Sequence, residues 1–308
     1  MQRRALSIVV CILAINFWLI FNLGKLSTIF GISSGFFVSL HEALCSLICS
    51  ILLFIFNKSN NKQLNWLKLL SFAFLSIAFG DFFYGVDYYL LNHAFKNTPL
   101  ILSHEIFYIT FMASLSVAAI IRMTEGLNKI ELRCVIFAVT TLSIFYFVCS
   151  YSMVLSYQFP SDYDRPKLNY LTSYTYAIFQ ALAVGAIFVA SLRTKNIVEF
   201  AIWALFLTLN GSDFALRYQD VGQHALGTPI FEYGWASSIA ILESIIIWLH
   251  ISENKDVRIL EHTPEPLNSI RVLVPFLMLL SLATFIAVIF IFSSYLKLVN
   301  IGTMSGHV

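Results

Sequence analysis

The stretch "LLSFAFLSIAFGDFFYGVDYYL", residues 69–90, is apolar along most of its length but contains Asp81 and Asp87. About 20 consecutive apolar residues are enough for an α-helix to cross the hydrocarbon core of a bilayer. Moving an ionised carboxylate out of water is costly, so a carboxylate at such a position needs either partners or a function. The stretch therefore predicts a membrane-spanning helix with a polar site near one end.

Apolar runs of similar length recur along the whole chain, which has 308 residues, of which 58% are hydrophobic and 12% charged. Soluble domains carry about 25% charged residues. We predict an all-α, polytopic transmembrane helical bundle with about nine spans, because the short alternating segments of a transmembrane β-barrel are not the pattern here. The predicted spans are residues 5–23, 34–56, 67–91, 100–121, 134–157, 171–192, 197–216, 229–250 and 271–296.

The predicted domain organisation is an eight-helix transmembrane module at residues 1–251, a cytoplasmic connector at 252–270, a ninth transmembrane helix at 271–296 and a short tail at 297–308. The connector is the longest predicted inner loop and contains two prolines. The tail is too short to be a domain. We expect either that the protein ends there or that a longer parent protein continues beyond it.

The distribution of Lys and Arg predicts the orientation, because cytoplasmic loops of membrane proteins are enriched in these residues. With the N-terminus in the cytoplasm, every predicted inner loop is basic, and nine spans place the C-terminus outside. We predict a multi-pass protein of the cell membrane, of the bacterial inner-membrane type. The 13 of 19 basic residues on the inner side are Arg3, Arg4, Lys58, Lys62, Lys68, Arg122, Lys129, Arg133, Arg193, Lys195, Lys255, Arg258 and Arg271.

The segment "FLSIAFGDFFYGVDYY" at 74–89 is similar to "LFLTLNGSDFALRYQD" at 205–220. In both, an aspartate and a phenylalanine follow a small residue, and the next predicted helix begins near a proline, Pro99 or Pro229. We predict a 4+4 internal repeat of parallel halves plus one extra helix, an arrangement that places functional sites at the interface of the halves. Chance similarity between two aromatic-rich spans is the alternative.

Ionisable residues within the predicted spans lie almost entirely in the outer halves, which predicts a polar cavity open toward the outer face. Asp81 is the deepest of them, and we favour a functional role for it. Spacing predicts that Asp213 can pair with Arg217 and that His104 and Tyr108 share a helix face. Solvation at the interface and structural ion pairing are the alternatives for residues near helix ends. The predicted ligand-binding residues are Asp81, Tyr84, His104, Tyr108, Asp213, Arg217, His41, Glu42, Glu105 and Glu232.

Glu243, in "ILESIIIW", is an exception among these ionisable residues because it lies in the inner half of its predicted span. We predict that it bonds to a Ser or Asn on a neighbouring helix. The five cysteines lie within predicted spans without metal-type spacing, so we predict that they are packing residues. No metal and no cofactor is predicted.

The segments "SIAFGDFFY", "LSHEIFYITF" and "LFLTLNGSDF" resemble the lysoplasmalogenase family of eight-helix membrane proteins over roughly residues 5–250. The resemblance implies hydrolysis of the vinyl-ether bond of lysoplasmalogens, with Asp81 and Asp213 as catalytic residues. This chain lacks the Lys-Pro that the family tends to carry on helix 2 and the Gln on helix 8, and its added ninth helix resembles the front end of modular membrane sensor proteins. The residues at the family's motif positions are Gly80, Asp81, Ser103, His104, Tyr108, Ser212 and Asp213.

Three functions fit this sequence. The first is a membrane sensor or receptor-type module, the front part of a signalling protein, that binds a small amphiphile or solute in an outward-facing cavity. The second is a lysoplasmalogenase-like hydrolase in which Asp81 protonates the vinyl ether and Asp213 activates water. The third is a small-solute transporter, although no pair of Gly- or Pro-broken helices is visible. The expected partners are membrane lipid and a small-molecule ligand; homodimerisation stays open, and no basic stripe indicates nucleic acid.

Overall fold

The computed structural model describes residues 2–31, 33–59, 64–90, 102–151, 167–194, 196–222 and 230–251. Within these ranges the chain forms eight α-helices and no strands, which confirms the predicted all-α class. A π-helical turn, Val86–Leu90, follows the third helix directly. The helices are α1 (Gln2–Phe30), α2 (Ser34–Ser59), α3 (Asn65–Gly85), α4 (Leu102–Thr124), α5 (Lys129–Ser150), α6 (Lys167–Arg193), α7 (Ile197–Gly222) and α8 (Ile230–Ile251).

Seven of these helices, α2 to α8, are long enough and apolar enough to cross a membrane, which is the architecture of a multi-pass membrane protein. Because lipid offers no hydrogen-bond partners, a spanning segment must pair its backbone groups internally, as an α-helix does. The apolar stretch of α1, Leu6–Asn22, is shorter. The predicted count of nine spans is not confirmed. The predicted connector at 252–270, ninth helix at 271–296 and tail at 297–308 lie outside the described residues.

A tight turn separates α4 from α5. Gly126 has a φ of 73°, a left-handed conformation that glycine adopts at little cost. Asn128 then caps α5, because its side chain accepts hydrogen bonds from the backbone N–H groups of Ile130 and Glu131. The Glu131 side chain accepts a hydrogen bond from the Asn128 N–H in return. This reciprocal capping box fixes where α5 begins.

Aromatic side chains of α3, α4 and α7 form the centre of the bundle. The ring centroids of Trp66 and Trp203 lie 5.9 Å apart, and those of Phe74 and Phe206 lie 5.5 Å apart. Phe111 of α4 contacts Phe206 with a centroid distance of 6.4 Å. All five side chains are almost completely buried, so this core holds the three helices in a fixed register.

Helix direction alternates along the chain, and the bundle therefore has two distinct ends. At one end, which we call the Arg122 end, Arg122 late in α4 bonds to Glu199 early in α7. At the other, the Asp81 end, Asp81 late in α3 bonds to Tyr108 early in α4. The assignment of the Asp81 end to the outer side of the membrane stays a prediction from the Lys and Arg distribution.

The 4+4 repeat also stays a prediction. Asp81 accepts a hydrogen bond from Tyr108 on the following helix, α4. Asp213 accepts its hydrogen bonds from Tyr176 and Gln180 on the preceding helix, α6. These hydrogen bonds join Asp81 to the following helix and Asp213 to the preceding one, although both aspartates lie late in helices of the same direction.

Candidate functional site

Asp81 lies in the second-last turn of α3 and exposes 2% of its surface. The Tyr108 hydroxyl donates a hydrogen bond to Asp81 Oδ1 over 2.7 Å. Gly80 permits this close approach, because a Cβ at that position would lie 3.1 Å from Tyr108 Cε1. Asp81 Oδ2 is buried and has no hydrogen-bond partner among the described residues. Buried polar atoms without a partner are rare in folded proteins, and a functional site is one place where they occur.

The aromatic rings beside Asp81 form a continuous series. The His104 ring lies edge-on to Tyr108, at a centroid distance of 6.2 Å, and edge-on to Tyr84, at 5.7 Å. Asp87 and Glu105 are within electrostatic range of His104. The Nδ1 atom of His104 and one carboxylate oxygen each of Asp87 and Glu105 are buried without a hydrogen-bond partner in the described part of the chain. We call this group the Asp81 cluster: Asp81, Tyr84, Asp87, His104, Glu105 and Tyr108.

Asp213 in α7 has two hydrogen-bond donors from α6. Gln180 Nε2 donates to Asp213 Oδ2 over 2.7 Å, and the Tyr176 hydroxyl donates to the same oxygen over 3.1 Å. Tyr176 and Gln180 are four residues apart, so both lie on the face of α6 that meets α7. Neither was predicted from the sequence. Two polar side chains at i,i+4 spacing within an apolar span are the signal that could have identified them.

The contact between Phe74 and Phe206 gives one measure of where Asp81 and Asp213 lie along the bundle. The rings of Phe74 and Phe206 are in contact, and α3 and α7 run in the same direction. Asp81 follows Phe74 by seven residues, and Asp213 follows Phe206 by seven. Seven residues advance a helix by about 10.5 Å and leave the side chain within about 20° of the same face. Both aspartates are therefore about two turns above the phenylalanine contact, on the helix faces that meet there.

The Asp81 cluster contains five of the predicted ligand-binding residues. A sixth, Glu42 in α2, is buried and lies within electrostatic range of Tyr108. Arg217 and Glu232 belong to α7 and α8, but their side chains are outside the described part of the structure. The predicted pairing of Arg217 with Asp213 therefore stays a prediction.

His41 has its contacts in a different polar network, which joins α1, α2 and α8. Asn16 Nδ2 donates a hydrogen bond to Glu243 Oε2 over 2.8 Å, and Asn16 Oδ1 lies 3.2 Å from His41 Nε2. Cys45 Sγ lies 3.6 Å from the same His41 nitrogen. The Asn16 contact confirms the predicted bond between Glu243 and an Asn or Ser of a neighbouring helix. Asn16 itself was not predicted, although a lone Asn in an apolar helix is a signal for such a bond.

A second network that was not predicted lies at the Arg122 end. Arg122 Nε and Nη2 donate to the two carboxylate oxygens of Glu199, each over 2.7 Å, and Nη1 donates to Glu125 Oε2 over 2.6 Å. Trp203 Nε1 also donates to Glu199, over 3.2 Å. The Arg122 guanidinium lies 5.3 Å from the centroid of the Trp66 ring. In the sequence, Arg122 is recognisable only as an inner-loop charge. The structure shows that Arg122 forms a buried, bidentate ion pair with Glu199, which links α4 to α7.

Comparison with known proteins gives no match for this chain among family models, characterised proteins or solved structures. The resemblance of three short segments to the lysoplasmalogenase family therefore stays a prediction, as do the catalytic roles that it implies for Asp81 and Asp213. What the site can do follows from its own geometry and chemistry.

Proposed function

We propose that this chain is a membrane module of the sensor or receptor type that binds a small amphiphile or solute in a polar pocket at the Asp81 end. Asp81 carries the proposal. It is 2% exposed, Tyr108 holds one of its oxygens, and the other oxygen has no partner among the described residues. Burying a carboxylate in this way is costly, and a bound ligand that donates a hydrogen bond recovers part of that free energy.

The register of α3 and α7 supports a shared pocket. Asp81 and Asp213 each follow one member of the contacting pair Phe74 and Phe206 by seven residues. Binding sites in helical bundles are commonly built from side chains of facing helices. In the proposed pocket the two carboxylates lie within about 10 Å of each other, a distance that one small ligand or a few waters can bridge.

Exposed aromatic rings beside the pocket support an amphiphile as the ligand. Phe79, Phe82 and Phe83 expose between 37% and 45% of their surface on the last turns of α3. The Phe107 ring of α4 contacts Phe79 and Phe83 with centroid distances of 5.5 and 5.7 Å. A ligand with an apolar tail can lie along these rings on the lipid side and direct its polar group toward Asp81.

A lysoplasmalogenase-like hydrolase is the second candidate, and the unlike surroundings of the two aspartates favour it. Asp213 has two donors on one oxygen, whereas Asp81 has one donor and an unpartnered oxygen. Two carboxyl groups in different environments can divide the roles of general acid and general base. In that case Asp81 would protonate the vinyl ether and Asp213 would activate the attacking water.

Two measurements on the same samples separate the candidates. Purified full-length chain in dodecyl maltoside micelles is incubated with a lysoplasmalogen and with fractions of membrane polar lipid. Melting temperature and release of fatty aldehyde are then recorded. For a sensor module we expect at least one fraction to raise the melting temperature of the wild type but not of Asp81→Asn, without aldehyde release.

The control variant is Glu131→Gln, which makes the same acid-to-amide change far from the pocket and keeps the capping box, since Gln serves there as well as Glu. Aldehyde release by the wild type that falls by about 10² to 10⁴ in Asp81→Asn would establish the hydrolase instead. Identical melting responses in the wild type, Asp81→Asn and Asp213→Asn would contradict the pocket itself.

A further inference from the structure

The unpartnered atoms of the Asp81 cluster define what a ligand must offer. Three of them, Asp81 Oδ2, Asp87 Oδ1 and Glu105 Oε2, are carboxylate oxygens that are buried without a hydrogen-bond partner within the described ranges, and the fourth is His104 Nδ1. An ionised carboxylate only accepts hydrogen bonds. A ligand that satisfies the ionised carboxylates must therefore bring hydrogen-bond donors, and these carboxylates repel a negatively charged ligand group.

The three carboxylates are linked through shared neighbours. Tyr108 bonds to Asp81, and its ring contacts His104. Asp87 and Glu105 are both within electrostatic range of His104. Asp81, the most buried member, is thus connected through two aromatic rings to the acidic residues nearer the end of the bundle. Two ion pairs, Arg122 with Glu125 and Arg122 with Glu199, lie at the opposite end of the bundle.

The spacing of these groups does not suit a metal ion. Among the described residues, no three His, Cys, Asp or Glu side chains are close enough together to hold one. A primary ammonium group is larger, carries one positive charge and has three N–H donors that point in different directions. The faces of aromatic rings such as Tyr84 and Tyr108 also attract cations.

We infer that the Asp81 cluster binds a primary ammonium group, supplied either by a lipid headgroup or by a free amine. This inference rests on the proposed function and names the chemical class of its ligand. The ammonium donates a hydrogen bond to Asp81 Oδ2 and is attracted by the charges of Asp87 and Glu105, with the rings of Tyr84 and Tyr108 beside it. An attached alkyl chain extends past Phe79 and Phe83 into the bilayer.

The test compares amines with alcohols of the same chain length, using full-length protein in dodecyl maltoside micelles. The probes are dodecylammonium chloride and dodecanol, with dissociation constants measured from the change in tryptophan fluorescence and checked by melting temperature. Lysophosphatidylethanolamine and n-butylammonium chloride distinguish a headgroup from a free amine. We expect dodecylammonium to bind and dodecanol not to bind. Binding of lysophosphatidylethanolamine would identify a lipid headgroup as the source of the amine, and binding of n-butylammonium would identify a free amine.

Two variants test the assigned residues. Asp81→Asn should weaken binding of dodecylammonium by about tenfold to a hundredfold, the effect of losing one charge-assisted hydrogen bond. Glu105→Gln removes an attracting charge and should weaken the same binding by a smaller factor. Glu131→Gln should bind dodecylammonium with the same dissociation constant as the wild type. If Asp81→Asn does not fold, Glu105→Gln still tests the same site, because its altered side chain lies nearer the helix end.

Three outcomes would overturn the inference, and they differ in what they say about the proposed function. Dodecanol binding as tightly as dodecylammonium, with the same dependence on Asp81, would exclude a cation site but leave the pocket. If dodecylammonium binds equally to the wild type, Asp81→Asn and Glu105→Gln, the signal would come only from dodecylammonium that partitions into the micelle, not from a site in the protein. Failure of every amine and alcohol to bind would count against both the cation site and the proposed pocket.

Discussion

Both the Arg122 end and the Asp81 end contain buried carboxylates, but the hydrogen bonding of these carboxylates differs between the two ends. At the Arg122 end, both oxygens of Glu199 accept hydrogen bonds from Arg122, and Trp203 adds a third. At the Asp81 end, Asp81 has one described donor, Tyr108, and an oxygen that is buried without a partner. The same chemical group is thus fully paired in one region and partly open in the other.

This difference separates a structural role from a functional one. A buried ion pair whose donors and acceptors are all used holds two helices together and leaves nothing for a ligand to bind. A buried carboxylate with an unpartnered oxygen contributes less to the fold and gains more from a ligand. We therefore expect substitutions to affect stability most at the Arg122 end and ligand binding most at the Asp81 end.

The largest expected effect is that of Arg122→Met. The substitution leaves Glu199 buried without its charged partner, and removing one member of a buried pair costs about 3–5 kcal/mol. The free energy of unfolding can be measured by titration with SDS from mixed micelles. The double variant Arg122→Met with Glu199→Leu is the control, and it should recover much of the loss. A loss below about 1 kcal/mol, the range of exposed pairs, would show that this ion pair does not hold the end of the bundle.

The same acid-to-amide change at each end sharpens the comparison. Glu199→Gln weakens charge-assisted hydrogen bonds with Arg122, so we expect a loss of about 1.5–3 kcal/mol. Asp81→Asn removes a buried charge while keeping an acceptor for Tyr108, so its cost should stay below about 1 kcal/mol or become a gain. The same unfolding titration measures both. Equal losses at the two positions would show that Asp81 is a structural carboxylate like Glu199.

An effect smaller than that of Glu199→Gln is expected at Asp213, whose hydrogen bonding is intermediate between the two cases. Tyr176→Phe removes one hydrogen bond to Asp213 Oδ2, but Gln180 still donates to the same oxygen. We expect a loss of about 0.5–1.5 kcal/mol in the free energy of unfolding. Adding Gln180→Met removes both donors, and the double variant should lose more than the sum of the single changes. Strict additivity would indicate that the two donors act independently of Asp213.

The sequence alone determined the fold class and the approximate positions of the helices. Hydropathy is sufficient for this, because each spanning helix must satisfy its own backbone hydrogen bonds within one continuous segment. The exceptional status of Asp81 could also be predicted, since the cost of placing a carboxylate in an apolar helix is a local property of the sequence. The grouping of Asp81 with His104 and Tyr108 followed from their common position in the outer halves of the predicted spans.

Only the tertiary structure decided which side chains meet. Asn16 and Glu243 are 227 residues apart, and Arg122 and Glu199 are 77 apart, yet each pair is joined by hydrogen bonds of 2.7 or 2.8 Å. Nothing in one apolar helix specifies its rotation or its neighbours. These are set by how side chains from several helices pack together, as in the contact between Phe74 and Phe206. For this reason hydropathy located the helices of this protein, whereas the partners of its buried polar groups depended on packing between distant segments.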